Sequence, residues 1–175
     1  MLAITFVLFL PEAFALLSHV VYGNPVQVGI ASIHVPSNWI MYRKSGDLTI
    51  GRFSRIWVKR IAGAGFSPSM LITKRRGMTF PHDAWREAQR AIKFEAGSIF
   101  QREHKVSADF GEGYCLEFSD FKYRKRWRIS CEIPPLELHA YFEGSSEFVE
   151  QFYEVIQGLK LARTAPTRQT APPKN

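Results

Sequence analysis

The sequence lacks the patterns that identify common metal-binding and nucleotide-binding classes. It has only two cysteines and five histidines in 175 residues, with no Cys-x-x-Cys and no His-Glu-x-x-His pattern. Two short glycine pairs, at 63–65 and 111–113, do not continue into a phosphate-binding fingerprint. Metal sites need several ligands at close spacing, but most histidines are scattered, at His34, His82, His104 and His139. We therefore predict no metal site and no cofactor.

Catalytic patterns are equally scarce. The one Ser-x-x-Lys match, Ser119 to Lys122, needs a helical turn to bring the amine beside the hydroxyl. It falls on a predicted hairpin turn, which indicates a chance match. Four acidic residues could supply a pair of carboxylates for general acid–base catalysis, but their spacing does not require such a pair. They are Asp109, Glu112, Glu117 and Asp120. We predict no catalytic residue and no enzyme activity, with an unrecognised hydrolase as an alternative.

The amino terminus has almost no charge: one acid and no base in its first forty residues. Pro11 interrupts the apolar run Met1–Leu10, which leaves it short of the roughly 20 apolar residues of a transmembrane helix. The small residues of Ala13–Ala15, and more loosely Gly23, suit a signal-peptide cleavage site, although the usual opening Lys or Arg is missing. We predict that residues 1–23 are a signal peptide and that the protein is periplasmic or secreted. A retained anchor and a buried first strand are the alternatives.

Composition predicts one globular domain in the rest of the chain. Hydrophobic residues make up 46% and charged residues 22% of the sequence, as in ordinary globular proteins. A domain of about 150 residues buries about 70% of its unfolded surface, enough for a core without metals. Residues 163–175 contain three prolines among polar and basic residues and are predicted to be disordered. We therefore expect an α/β domain over residues 24–162.

Hydrophobic periodicity predicts both strands and helices. Alternation predicts one or two short strands between Val26 and Val35, further strands at 48–50 and 70–73, and three more within 113–142. The apolar segment from Phe53 to Ile61 fits neither period clearly. Pro81 and Gly97 bound a helix over 82–96, whose core-facing side is expected to be Ala84, Trp85, Ala88, Ala91 and Ile92. A last helix is expected to bury Phe148, Phe152, Val155, Ile156 and Leu159.

The two cysteines are predicted to form a disulfide. Strands 113–119 and 126–133 form a hairpin that turns near Tyr123, and this pairing puts Cys115 directly opposite Cys131. Cross-strand Cβ atoms are close enough for a disulfide at a non-hydrogen-bonded pair. In this register Cys115 shares one face with Ile129, while Leu116 shares the other face with Ser130. Apolar residues then lie on both faces, which favours a sheet that helices cover on both faces, with a β-bulge as the alternative. Two free buried thiols are the alternative.

The densest charge signal lies at the tip of this hairpin. Bases interleave with aromatic residues, a combination that suits polyanions because cations bind anions while aromatic faces stack or anchor. In an exported protein the available anions are lipid headgroups, envelope polymers and acidic proteins. The alternative is a solvated hairpin that keeps the protein soluble. We predict partner or anion binding by Lys122, Tyr123, Arg124, Lys125, Arg126, Trp127 and Arg128.

The order of elements resembles a known family. Val35-Pro-Ser-Asn-Trp39 after the opening strand, the helix over 82–96, and the final strand and helix over 136–156 are similar to elements of the PsbP-like superfamily. This resemblance implies an α/β/α sandwich, here an α+β fold with an antiparallel sheet covered by helices. It also implies a non-catalytic binding role, because known members are mostly exported accessory factors, assembly factors or extrinsic subunits. No site residue of the family is matched.

These observations favour an exported, non-catalytic binding protein that acts on a protein partner. An accessory or assembly factor and a toxin-neutralising immunity protein are two forms of this function. The main alternative is an envelope-surface protein that binds anionic lipid or polymer through the basic aromatic hairpin. The sequence predicts no nucleic-acid partner and no small-molecule substrate.

Overall fold

The computed structural model describes residues 13–44, 47–51, 68–75, 81–120 and 126–162. Most strands belong to one seven-stranded antiparallel sheet, of order β3-β4-β5-β9-β8-β7-β6. Its strands are β3 (Ile40–Lys44), β4 (Asp47–Gly51), β5 (Ser69–Lys74), β6 (Ser98–Ala108), β7 (Gly111–Asp120), β8 (Arg126–Ile133) and β9 (Leu138–Ser145).

A small second sheet and the helices complete the domain. The small sheet contains β1 (Val26–Val28), β2 (Ala31–Ile33) and β10 (Lys160–Leu161), in the order β1-β2-β10. The helices in the described chain are α1 over residues 13–22, α2 (His82–Glu95) and α3 (Val149–Gln157). None of these helices is both long and apolar enough to cross a membrane.

The sheet is covered on both faces, as the sequence predicts. One face carries Cys115, Ile129 and Cys131 into the main core, which helix α3 closes with Phe152 and Ile156. The opposite face carries Leu116 and Phe118, which pack against Trp85 of helix α2. The predicted register is confirmed, since Cys115 is paired with Cys131 and Leu116 with Ser130. The α+β class with an antiparallel sheet covered by helices is therefore confirmed.

Helix α2 forms where the sequence predicts it, but its orientation differs from the prediction. Pro81 precedes it, and Gly97 follows it with a φ of +72°, a conformation that favours glycine. Trp85 is buried as expected, whereas Ile92 is exposed. The predicted alanines are also exposed; they are Ala84, Ala88 and Ala91. The sheet face beneath the helix is largely polar, so the helix covers it with polar side chains and turns its alanines to solvent.

Helix α1 contacts the domain through a few polar groups. The hydroxyl of Ser18 accepts a hydrogen bond of 3.1 Å from the backbone N–H of Met41, and His19 Nε2 lies 3.1 Å from the carbonyl oxygen of Trp39. Tyr22 packs against the main core. Removal of residues 1–23 as a signal peptide stays a prediction, and cleavage after Gly23 would remove these contacts.

Several strands escape the sequence analysis. Strand β3 and the long strand β6 have no counterpart among the predicted elements, and β10 follows the last predicted helix. Strand β6 is missed because its middle is polar and charged, with a burial pattern that shows little alternation. The segment Phe53–Ile61 and the tail 163–175 lie outside the described residues.

Candidate functional site

A polar network lies between helix α2 and the sheet. Ser130 on β8 is completely buried, and its hydroxyl donates a 3.1 Å hydrogen bond to Oε1 of Gln89 on the helix. His139 on β9 places Nε2 2.9 Å from the same hydroxyl. A serine and a histidine at this distance are a pair that nucleophilic enzymes use, so the direction of the proton matters.

The proton of Ser130 points away from His139. A hydroxyl has one proton, and the bond to Gln89 uses it, so Ser130 accepts a hydrogen bond from Nε2–H of His139. Burial, followed by the charges of Lys93 and Arg75, lowers the pKa of His139 to about 4. The ring is therefore neutral at neutral pH. This pair acts as a hydrogen-bonded spacer beneath the helix, and substrate has no access to the buried hydroxyl.

Ion pairs surround this network. Arg75 Nη2 lies 3.0 Å from Glu132 Oε1, although burial outweighs the nearby Arg75 and His82 and raises the pKa of Glu132. Arg126 and Arg128 lie against Asp120 and Glu143, mostly buried. Buried charges are retained when they are paired in this way. This face of the sheet therefore holds hydrogen bonds and ion pairs beneath helix α2, although some of its buried atoms, such as His82 Nδ1 and Arg86 Nε, form no hydrogen bond.

A second polar cluster lies on the opposite face, around Glu117 of β7. Its side chain is only 1% exposed, and Arg102 donates two hydrogen bonds to it, of 2.9 and 3.0 Å. The hydroxyl of Tyr153 donates a third, of 2.7 Å, and burial together with this carboxylate raises the pKa of Tyr153. His104 Nδ1 lies 3.5 Å away, but burial outweighs the carboxylate and lowers the pKa of His104. The positive partner of Glu117 is therefore Arg102.

An apolar groove opens between the end of helix α2 and strand β6. This cavity, here called the groove, has a volume of about 770 Å³. The residues that line it are Arg90, Ala91, Phe94, Gly97, Ser98, Ile99, Phe100 and Phe118. The Phe94 side chain is 80% exposed. The guanidinium carbon of Arg90 lies 4.1 Å from the centre of the Phe100 ring, a cation–π distance. The groove is therefore a concave, mostly apolar surface with the charged Arg90 among its lining residues.

Short contacts fix the groove against the sheet. Gly97 turns the chain from the helix into β6, and Ser98 pairs with Asp120 at the end of β7. Arg128 of β8 donates hydrogen bonds to Ser98 Oγ and, at 3.2 Å, to the carbonyl oxygen of Ala96. Asp120, at the end of β7, therefore lies beside this part of the groove.

The structure positions only some of the residues predicted to bind a partner. Arg126 and Arg128 form the ion pairs described above, and Trp127 is partly buried against the main core. The other predicted residues lie outside the described residues; they are Lys122, Tyr123, Arg124 and Lys125. The predicted disulfide between Cys115 and Cys131 is present, with both cysteines buried. Disulfides are typical of non-reducing compartments.

The groove residues were not singled out from the sequence. The signal that could have found them is Ile99-Phe100, an apolar pair that follows the helix-ending Gly97 and precedes a charged run. Phe94 is equally conspicuous, because it lies outside the apolar spacing of the helix. Within the described ranges, no three His, Cys, Asp or Glu side chains are grouped so that they could hold a metal ion.

Comparison with solved structures finds a likeness of fold, whereas the sequence comparisons find no match. No protein-family model matches this chain, and no curated protein matches its sequence. The chain is similar to the solution structure of cyanobacterial PsbP (CyanoP) from Synechocystis sp. PCC 6803, with 13% sequence identity and a TM-score of 0.47, over 77% of this chain and 88% of that one. At this identity the likeness concerns the fold alone.

Proposed function

We propose that this chain is an exported, non-catalytic binding protein that acts on a protein partner, as an accessory or assembly factor or as a toxin-neutralising immunity protein. The observation that carries the proposal is the groove at the end of helix α2, with Phe94 projecting into solvent beside it. A concave apolar surface next to an exposed aromatic ring suits a side chain of another protein, since such pockets hold the residues that dominate protein interfaces.

Charge favours an acidic partner. The chain has a formal net charge of +7, and Arg90 forms one wall of the groove. We propose that the hairpin tip adds contacts from Lys122, Tyr123, Arg124 and Lys125, while Arg126, Trp127 and Arg128 support it from strand β8. Complementary charge steers association and excludes partners of like charge.

The alternative of an anionic surface fits the groove less well. Lipid headgroups or envelope polymers would contact the bases, but neither supplies a defined apolar side chain for a concave site. We also propose export, for which the disulfide and the predicted signal peptide are the support. Fractionation of cells, followed by intact mass measurement, tests this part of the proposal. We expect to find the protein in the envelope fraction or in the medium, with the mass of a chain that lacks residues 1–23.

Affinity purification from an envelope extract of the source cells tests the binding proposal, with tagged wild-type and variant proteins as baits. We expect one acidic protein in a stoichiometric complex that light scattering confirms after reconstitution from purified components. Phe94→Ser and Arg90→Glu should weaken this complex at least tenfold. Leu161→Ser is the matched control, because Leu161 is also an exposed apolar residue but lies on β10, outside the groove.

The same proteins distinguish the alternatives. Salt-sensitive binding to phosphatidylglycerol vesicles, without a stoichiometric protein complex, would favour the anionic-surface function and overturn the proposal. A reconstituted complex that Phe94→Ser and Leu161→Ser weaken equally would move the docking site away from the groove.

A further inference from the structure

Among the described residues, strand β6 has one edge that no other strand pairs with. It is the last strand of the seven-stranded sheet and pairs with β7 alone among the described strands. Its register with β7 is regular from Arg102 to Ala108, after an irregularity between Phe100 and Arg102. A regular strand with one unpaired edge is a template for a further strand.

The geometry of the disulfide shows which backbone groups face this edge. The Cα atoms of Cys115 and Cys131 are 4.1 Å apart, the short separation of a non-hydrogen-bonded pair. The N–H and C=O of Cys115 therefore point away from β8, toward its neighbour His104 on β6. Since bonded and non-bonded pairs alternate along an antiparallel ladder, Glu103, Lys105 and Ser107 direct their N–H and C=O groups outward.

Two bases along the edge are exposed, and each is paired with an acid of β7, Arg102 with Glu117 and Lys105 with Glu112. Arg102 is 65% exposed and Lys105 62% exposed. Acidic side chains on an added strand would lie beside them. At its start, the edge continues into the groove through Ile99 and Phe100, where an apolar side chain of the same added strand fits.

We propose that the partner presents an extended segment, acidic with an apolar anchor, which adds to the edge of β6 as an eighth strand. This inference rests on the proposed function and specifies how the partner binds. Backbone hydrogen bonds to Glu103, Lys105 and Ser107 supply affinity, while the groove and the two bases supply specificity, the division found in strand-addition complexes. Lipid headgroups would not form such a ladder.

A proline substitution tests the added strand without disturbing the sheet. The outward N–H of Lys105 forms no bond to β7, so Lys105→Pro removes a donor from the free edge alone, a position where edge strands accept proline. Lys105→Ala is the matched control, because it removes the same charge and the same contact with Glu112 but keeps the N–H. Ser107→Pro repeats the test at the next outward position if Lys105→Pro does not fold.

Random dodecapeptides displayed on phage are the probe, selected against wild-type protein and then measured as labelled peptides by fluorescence anisotropy. We expect selected peptides with acidic residues around an apolar anchor, amide NMR shifts concentrated at Glu103, Lys105 and Ser107, and affinity at least tenfold lower in Lys105→Pro than in Lys105→Ala. Equal affinity in these two variants would overturn strand addition.

The outcomes separate this inference from the proposed function. If Phe94→Ser weakens the partner complex and Lys105→Pro does not, strand addition is wrong while docking in the groove stands. If wild-type protein forms no protein complex at all, the proposed function fails. Dimerisation of the free protein that Lys105→Pro abolishes would assign the edge to a second copy and overturn the acidic partner.

Discussion

The hydroxyl of Tyr153 on helix α3 donates a 2.7 Å hydrogen bond to Oε1 of Glu117 on strand β7. Arg102 of the edge strand binds the same carboxylate from the other side. One buried carboxylate therefore connects the helix on one face of the sheet to the strand at its free edge. This connection holds the outer part of β6 in register beyond its irregularity.

Substitution of Glu117 should weaken the fold. We expect Glu117→Gln to lower the free energy of unfolding by about 2 kcal/mol, because a hydrogen-bonded buried charge is lost while Arg102 regains water. Glu112→Gln is the control, since Glu112 forms an exposed pair with Lys105, and exposed ion pairs contribute little to stability. Urea unfolding at pH 7 measures both, and equal losses would contradict the role of Glu117.

Loss of the disulfide should also destabilise the protein. Cys115 and Cys131 are separated by 16 residues, and a closed loop of this length contributes about 3 kcal/mol on the chain-entropy model. We expect the double variant Cys115→Ala, Cys131→Ala to unfold at lower urea concentration than the oxidised wild type. To check that the bond is present in the wild type, the unreduced protein is alkylated and its intact mass is measured. Alkylation of both thiols would refute the disulfide.

His139 should make stability depend on pH. Its pKa is about 4 in the folded protein and about 6.5 in an unfolded chain, so the unfolded state takes up a proton first as pH falls. The contribution of neutral His139 to the free energy of unfolding is complete above pH 6.5. It falls by about 3 kcal/mol as the pH is lowered from 6.5 to 4. His139→Gln should flatten this loss relative to wild type, whereas the exposed His34→Gln should not. Parallel slopes in all three proteins would contradict the prediction.

Ser130 should be inert toward serine-directed reagents. Its hydroxyl is completely buried and donates its proton to Gln89, so nothing activates it as a nucleophile. We expect a fluorophosphonate probe to leave folded protein unlabelled, with peptide mass spectrometry as the measurement. Stoichiometric labelling that Ser130→Ala abolishes would instead support the hydrolase alternative.

The sequence analysis and the structure agree where local pattern decides the outcome. A hairpin that turns at Tyr123 predicts the register that pairs Cys115 with Cys131. The structure has this register, although it puts the alternating apolar residues of the two strands on opposite faces of the sheet. Pro81 and Gly97 bound helix α2 through backbone preferences that do not depend on the rest of the chain. The buried stripe of helix α3 follows from its helical spacing in the same way.

The site was not accessible to the same reasoning. Strand β6 has a polar middle because its charged side chains pair with Glu117 and Glu112, which are remote in sequence, and a period-2 search does not detect it. The direction in which helix α2 faces also depends on a distant partner, the polar surface of β8 and β9.

The sequence by itself determined the hairpin, its disulfide and the positions of helices α2 and α3, since these follow from backbone preferences and from the spacing of apolar side chains. Only the tertiary structure decided which strand ends the sheet, which side of helix α2 meets solvent and where Phe94 and Phe100 form a groove. These features depend on contacts between segments far apart in the chain, and such contacts leave no periodic trace in either segment alone.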